Sequence, residues 1–94
     1  MTVGFVAVHY PRPEHFEEFV GRTHQVRETL EGRPGYQSSE VWVTPDGDAV
    51  VTMGRFESEE DLQAALAAAR DLGAIVGFDE RERKPRQTFM LVQK

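Results

Sequence analysis

The 94-residue sequence contains no cysteine, which excludes disulfide bonds, a thiolate nucleophile and cysteine-ligated metal sites. Its three histidines lack the helical i, i+4 spacing and the neighbouring carboxylate clusters that a metal centre would need. No glycine-rich phosphate loop follows a strand, so the sequence supports neither a nucleotide nor a flavin site. We therefore expect no metal and no cofactor.

An excess of positive charge is also missing, because the formal net charge is −5. Proteins that bind nucleic acid need a basic face, so we expect no nucleic-acid partner. Basic residues cluster only near the C-terminus, where they alternate with acidic ones. We interpret that stretch as a solvated linker in preference to an anion-binding site; its members are Asp79, Glu80, Arg81, Glu82, Arg83, Lys84 and Arg86.

Long apolar runs are absent as well, and none approaches the ~20 residues that span a bilayer. Met1, Thr2 and Val3 lead directly into the first predicted strand without a basic region or an apolar leader, so we expect no signal peptide. These absences favour a cytoplasmic protein without a membrane partner. The length corresponds to one domain, over residues 1–94.

Four runs of β-branched and aromatic side chains predict four strands, over residues 3–10, 36–44, 49–56 and 87–92. The second and third are joined by the sequence Pro-Asp-Gly-Asp, in which Gly47 can supply the positive φ that a short hairpin loop needs. Residues 74–84 are expected to form a connector without regular structure.

Apolar residues at helical spacing predict two helices. The first is expected over residues 13–31, with Pro13 in its first turn, where the missing N–H costs nothing. The second follows a capping box made by Ser58 and Asp61 and ends near Gly73. The resulting order, β-α-β-β-α-β, predicts a ferredoxin-like α+β fold with a four-stranded antiparallel sheet and two helices on one face.

Both faces of the predicted sheet are apolar, which is unusual for an antiparallel sheet with one solvated face. Two helices can cover only one of these faces. A second apolar face of several hundred Å² would be an association surface. We therefore predict a homodimer in which two sheets pack face to face about a twofold axis; the apolar side chains include Phe5, Val6, Val41, Trp42, Val51, Met53, Phe89 and Leu91.

Two stretches carry a family resemblance. Residues 33–36 (RPGY) are similar to the approach to strand two in the antibiotic biosynthesis monooxygenase superfamily, and residues 55–62 (RFESEEDL) resemble its passage into helix two. The resemblance covers nearly the whole chain and implies a dimeric α+β barrel with a small pocket between the sheet and the helices of each subunit.

The resemblance also implies a class of chemistry. Some members oxygenate small planar aromatics such as quinols or polyphenols with O₂ and no cofactor, because the deprotonated substrate itself reacts with O₂. Haem-degrading members use an Asn on strand one and a His at the end of helix two, and this sequence has neither, so haem degradation is disfavoured. Phe56 stands where many catalytic members carry Trp. A non-catalytic ligand-binding or regulatory barrel is therefore the alternative hypothesis.

Two residues are candidate catalytic groups. His9, near the end of strand one, has the near-neutral pKa that suits proton removal from a phenol; the alternative is a strand-end histidine that is exposed or packed at the dimer seam. Arg27 falls inside the apolar stripe of the first helix and is a candidate for holding a phenolate; the alternative is that its stem covers the core edge while the guanidinium reaches solvent.

Five further residues are candidates for binding the aromatic substrate. Tyr36 and Trp42, at an even spacing on one strand, are expected to share a face and to stack on a planar ligand, although aromatics at this spacing are also typical of a core or a dimer interface. The set is Thr23, Tyr36, Trp42, Met53 and Phe56.

Overall fold

The structure, a computed structural model, describes residues 2–94. A short 3-10 turn, Pro13–His15, leads into the first of two helices. The strands are β1 (Val3–Pro11), β2 (Tyr36–Val43), β3 (Val50–Phe56) and β4 (Glu82–Val92), and the helices are α1 (Phe16–Glu31) and α2 (Glu59–Asp71). The chain order is therefore the predicted β-α-β-β-α-β.

The four strands form one antiparallel sheet in the order β2-β3-β1-β4. In the central strand β1, Phe5 lies opposite Gly54 of β3 and Met90 of β4. Both helices pack on the face that carries Phe5, since Leu30 of α1 and Leu62 of α2 join it in one buried cluster. The predicted ferredoxin-like α+β fold is confirmed.

Local sequence signals account for the turns. The Oγ of Ser58 accepts a hydrogen bond from the backbone N–H of Asp61 at 3.1 Å, as a capping residue should. In the β2–β3 hairpin, Gly47 has φ +74°, a backbone conformation that glycine adopts without strain. Gly35, between α1 and β2, has φ +81°, and a Cβ there would clash with the carboxylate of Asp61.

Apolar packing is concentrated at one end of the covered face, where β1 begins and β3 ends. Phe56, Leu30 and Leu62 are each fully buried there. The ring of Tyr36 meets that of Phe56 edge-on at a centroid distance of 5.8 Å. This cluster is the hydrophobic core of the domain; its buried members are Val3, Phe5, Leu30, Phe56, Leu62 and Ala65.

The last strand begins five residues earlier than the sequence predicts, at Glu82 instead of Gln87. The charged residues before Gln87 show no apolar alternation, and Pro85 is accommodated because β4 lies at the edge of the sheet, where a missing N–H is tolerated. The register with β1 is irregular around this point, between Val8 and Tyr10. The interpretation of this charged stretch as a solvated linker is wrong for residues 82–86, because they form the first part of β4 and Glu82 is buried.

A bulge in β2 changes which side chains share a face. Tyr36 pairs with Phe56, whereas Ser38, two residues later, pairs with the adjacent Arg55. The extra residue reverses the alternation between these pairs. Tyr36 therefore points toward the helices and Trp42 toward the opposite face, so the prediction that they share a face is wrong. None of the helices formed by residues 2–94 has the length and apolar character to cross a membrane.

Candidate functional site

A partly open pocket of about 350 Å³ lies between the helices and the sheet, at the opposite end from the core. This volume is at the lower end of the range of about 300–1,000 Å³ that small-molecule sites occupy. Every layer of the domain contributes to its wall; the residues on which the argument depends are Ala7, His9, Phe19, Thr23, Thr52, Leu66, Arg86 and Thr88.

Small side chains form the floor of this pocket. Ala7 of β1 pairs with Thr52 of β3 on one side and with Thr88 of β4 on the other, so one row across three strands carries no large residue. The neighbouring row contains Phe5, which fills the space beneath the helices at the core end. The sheet therefore leaves room under the helices where its side chains are short.

His9 stands on the next row of β1, with only 14% of its side chain exposed. Its Nδ1 lies 3.3 Å from Oε1 of Glu82, and its ring centroid is 5.9 Å from that of Phe19. Burial is the main cause that lowers the pKa of His9 below its usual value, and the positive charge of Arg86 is the second. The nearby Glu82 acts in the opposite direction and raises this pKa. The imidazole is therefore neutral near pH 7 and free to accept a proton.

Glu82 joins His9 to Arg86. Its side chain is fully buried, and its Oε2 accepts a hydrogen bond from Arg86 at 2.6 Å. A second guanidinium nitrogen of Arg86 donates to the carbonyl oxygen of Val76 at 2.5 Å, which ties the connector between α2 and β4 to the strand. The Nε of Arg86 is buried and has no hydrogen-bond partner among residues 2–94.

This network fixes the orientation of the histidine. A carboxylate beside Nδ1 favours the tautomer that carries its proton on Nδ1, because that nitrogen can then donate to Oε1. The lone pair of the neutral ring then resides on Nε2. A neutral histidine in a mostly apolar pocket, oriented by a buried carboxylate, has an unprotonated nitrogen that can accept a proton.

The structure places two of the seven sequence-predicted site residues at this pocket, His9 and Thr23. Thr23 is buried and its hydroxyl donates to the carbonyl oxygen of Val20 at 2.8 Å, so it forms part of the wall. Arg27 does not line the pocket. Its guanidinium pairs along the helix with Glu31, four residues on, and donates to His24, an arrangement typical of an exposed helix face.

The other four predicted residues lie elsewhere. Tyr36 and Phe56 pack together in the core. Trp42 and Met53 lie on the sheet face that the helices do not cover, with 57% and 39% of their surface exposed. None of these four lines the pocket that contains His9.

Sequence reasoning missed Glu82 and Arg86. Strand alternation could not have found them, because the register of β4 with β1 shifts twice between Glu82 and Gln87. Lys84 lies two residues from each of them and pairs with Tyr10 on the opposite face of the sheet. Among residues 2–94, no group of three or more His, Asp or Glu side chains is placed to hold a metal ion.

The fold and the pocket define a class: small α+β domains with a ligand-sized site between a four-stranded sheet and two helices. The sequence profile of the antibiotic biosynthesis monooxygenase family matches residues 2–70. The chain belongs to this family. In a comparison with curated proteins, no sequence matches the chain.

Solved structures of the same fold cover almost the whole chain. Rv0793 from Mycobacterium tuberculosis superposes with a TM-score of 0.87 at 18% identity, over 100% of this chain and 96% of that one. A putative antibiotic biosynthesis monooxygenase from Nitrosomonas europaea gives 0.81 at 16% identity, over 95% and 86%. SnoaB, a cofactor-independent oxygenase from Streptomyces nogalater, gives 0.74 at 17% identity, over 99% and 93%. At these identities the likeness shows the fold.

Proposed function

We propose that this protein is a cofactor-independent monooxygenase that acts on a small planar phenol, quinol or polyphenol with O₂. The observation that carries the proposal is the neutral, oriented His9 in the wall of a ligand-sized pocket. Membership of the antibiotic biosynthesis monooxygenase family and the fold shared with SnoaB, a cofactor-independent oxygenase, support it.

In the proposed reaction, Nε2 of His9 accepts the proton of a substrate hydroxyl. The resulting phenolate is electron-rich enough to transfer an electron to O₂, and the two radicals combine at a ring carbon that carries hydrogen. The peroxide anion formed in this way takes the proton back from His9 and becomes a hydroperoxide. Loss of water from that carbon leaves a quinone carbonyl, so one oxygen atom enters the product and the other leaves as water. The protein supplies the base, a positive environment for the anion and the apolar walls that hold the ring.

The positions of the predicted residues decide which of them can take part in the proposed reaction. His9 is the proposed base, and Thr23 is part of the substrate-binding wall. Arg86, through Glu82, positions the imidazole and contributes positive charge near the phenolate. Arg27 lies outside the pocket, so the role of binding the phenolate passes to the arginines that line it.

Oxygen consumption in the presence of a panel of quinols and polyphenols tests this proposal. We expect uptake above the rate without protein, and we expect His9→Ala to reduce it by about 10²–10⁴-fold, the usual contribution of a general base. His24→Ala is the matched control, because His24 is exposed on α1 and does not line the pocket. Absence of uptake with every compound would contradict the proposal and favour a non-catalytic ligand-binding or regulatory barrel.

We infer that two copies of this chain associate through the uncovered sheet face, because this face carries exposed apolar side chains. Trp42, Phe89 and Leu91 lie on this face with 57%, 50% and 46% of their surface exposed. Val6 lies between Met53 and Phe89 on the same face, which makes the apolar surface continuous across the sheet. Burying such a face provides the usual driving force for association.

A charge placed on this face should separate the subunits. We expect the wild-type protein to sediment as a dimer at micromolar concentration and Trp42→Glu to sediment as a folded monomer, because a carboxylate would be buried without a partner. Leu72→Glu is the control, since Leu72 is 73% exposed at the end of α2, away from the sheet. A wild-type monomer, or a dimer that Trp42→Glu leaves intact, would contradict the inferred interface.

A further inference from the structure

The pocket has an uneven distribution of charge. Three arginines line it (Arg22, Arg70 and Arg86), and none of its lining residues is Asp or Glu. The chain as a whole has 16 acidic and 11 basic residues. The pocket wall is therefore positively charged in a protein whose net charge is negative. A concave site lined by one sign of charge attracts ligands of the other sign.

Two of the three guanidinium groups have partners outside the lining. Arg86 pairs with the buried Glu82 at 2.6 Å. Arg22 pairs with Glu18 at 2.9 Å, but the same carboxylate lies 2.6 Å from Arg81. Glu18 therefore balances only part of the charge of Arg22.

Arg70 has no such partner, because it takes part in none of the ion pairs formed by residues 2–94. It lies in the last turn of α2, where a cation also interacts favourably with the helix dipole. Its side chain is exposed at the mouth of the pocket. Leu66, one helical turn earlier, and Gln63 share its face of the helix and also line the pocket.

We propose that the ligand of this pocket is an aromatic carboxylate that is already anionic before any proton is removed. Its ring would lie against Phe19, Val26 and Leu66, which form an apolar wall. Its carboxylate would bind Arg70 at the mouth, with Arg22 of the facing helix as the second cation. This proposal names the substrate class of the proposed oxygenase. Binding of the carboxylate is argued from the pocket itself, whereas its role as the substrate rests on the proposed function.

Calorimetric titration with two matched probes, 1-hydroxy-2-naphthoate and its neutral amide, tests this assignment without any turnover. We expect the carboxylate to bind about tenfold or more tightly than the amide, the effect of one hydrogen-bonded ion pair. Arg70→Gln should remove most of this preference and leave the affinity for the amide unchanged, whereas Arg70→Lys should retain part of it. The control is Arg33→Gln, because Arg33 is exposed between α1 and β2 and does not line the pocket.

Three results would overturn the inference: equal affinities for the two probes, no measurable binding of either, or a preference that Arg70→Gln leaves intact. Its failure is distinguishable from failure of the proposed function. Oxygen uptake with neutral quinols but no preference for the carboxylate would overturn the inference alone. A preference abolished by Arg70→Gln, without oxygen uptake from any compound, would support an anion-binding pocket and contradict the oxygenase.

Discussion

The two ends of the space beneath the helices are built differently. At one end, Phe56, Leu30 and Leu62 fill the space and are fully buried. At the other end, the row formed by Thr52, Ala7 and Thr88 leaves a pocket of about 350 Å³. The same sheet and the same two helices form both ends, so the difference arises from side-chain size and polarity.

The two ends contribute differently to the stability of the fold. The packed end contributes burial of apolar surface, which is the main favourable term in folding. The pocket end contains a buried carboxylate between a histidine and an arginine, a combination whose desolvation cost offsets much of its attraction. The two ends should therefore respond differently to substitution.

The largest difference in the free energy of unfolding is expected between two variants, each of which shortens one side chain at one end. Phe56→Ala should lower the free energy of unfolding by about 3–5 kcal/mol, because it leaves a cavity in a close-packed core. Thr88→Ala, in the exposed floor of the pocket, should change it by less than about 0.5 kcal/mol. Urea unfolding of the two variants measures both values, and similar losses at the two ends would show that the pocket end is packed as a core.

Neutralising the buried carboxylate should have the next largest effect. Glu82→Gln leaves the guanidinium of Arg86 without its countercharge in a largely buried position, and we expect a loss of about 3 kcal/mol in the free energy of unfolding. The control is Glu80→Gln, since Glu80 is exposed and a surface change of this kind stays within about 0.5 kcal/mol. Equal stability of the two variants would contradict a stabilising ion pair between Glu82 and Arg86.

A smaller effect is expected at the boundary between the two ends. A Cβ on Gly54 would occupy the position of the Phe5 ring, which belongs to the core and also lines the pocket. Gly54→Ala should therefore cost about 1–3 kcal/mol of stability and weaken ligand binding, because the ring must shift. Gly21→Ala is the control: apart from the adjoining residues and backbone of its own helix, no atom lies within 4 Å of its Cβ position, and alanine in a helix is favourable by about 0.5–1 kcal/mol.

The order of strands and helices was predictable from the sequence, and the neighbours of individual side chains only in part. Periodicity of 2 and 3.6 residues located the four strands and two helices formed by residues 2–94, because burial of one face imposes those spacings on the chain, although β4 begins five residues earlier than predicted. It failed for Tyr36, since a single bulged residue reverses the alternation without leaving a signal in composition. It assigned Arg27 to the buried stripe, although a long side chain at its border can turn outward to Glu31.

The candidate site depends on contacts that cross the sheet. His9 and Glu82 are separated by 73 positions in the chain and become neighbours only through the pairing of β1 with β4. Spacing along the sequence cannot report a contact of that kind. For the same reason, residues predicted to surround one ligand are found in the core, in the pocket and on the uncovered sheet face.

The pH dependence of oxygen uptake tests the central claim, that a neutral His9 acts as the base. Protonated His9 cannot accept a proton, so kcat/KM should fall as the pH is lowered through its pKa. Because burial and Arg86 lower that pKa from the usual 6.5, the midpoint of this decrease should lie below pH 6.5. We expect this acid limb in the wild-type protein and in His24→Ala, and no such limb in the residual activity of His9→Gln. A midpoint at or above pH 6.5, or the same profile in His9→Gln, would contradict the account.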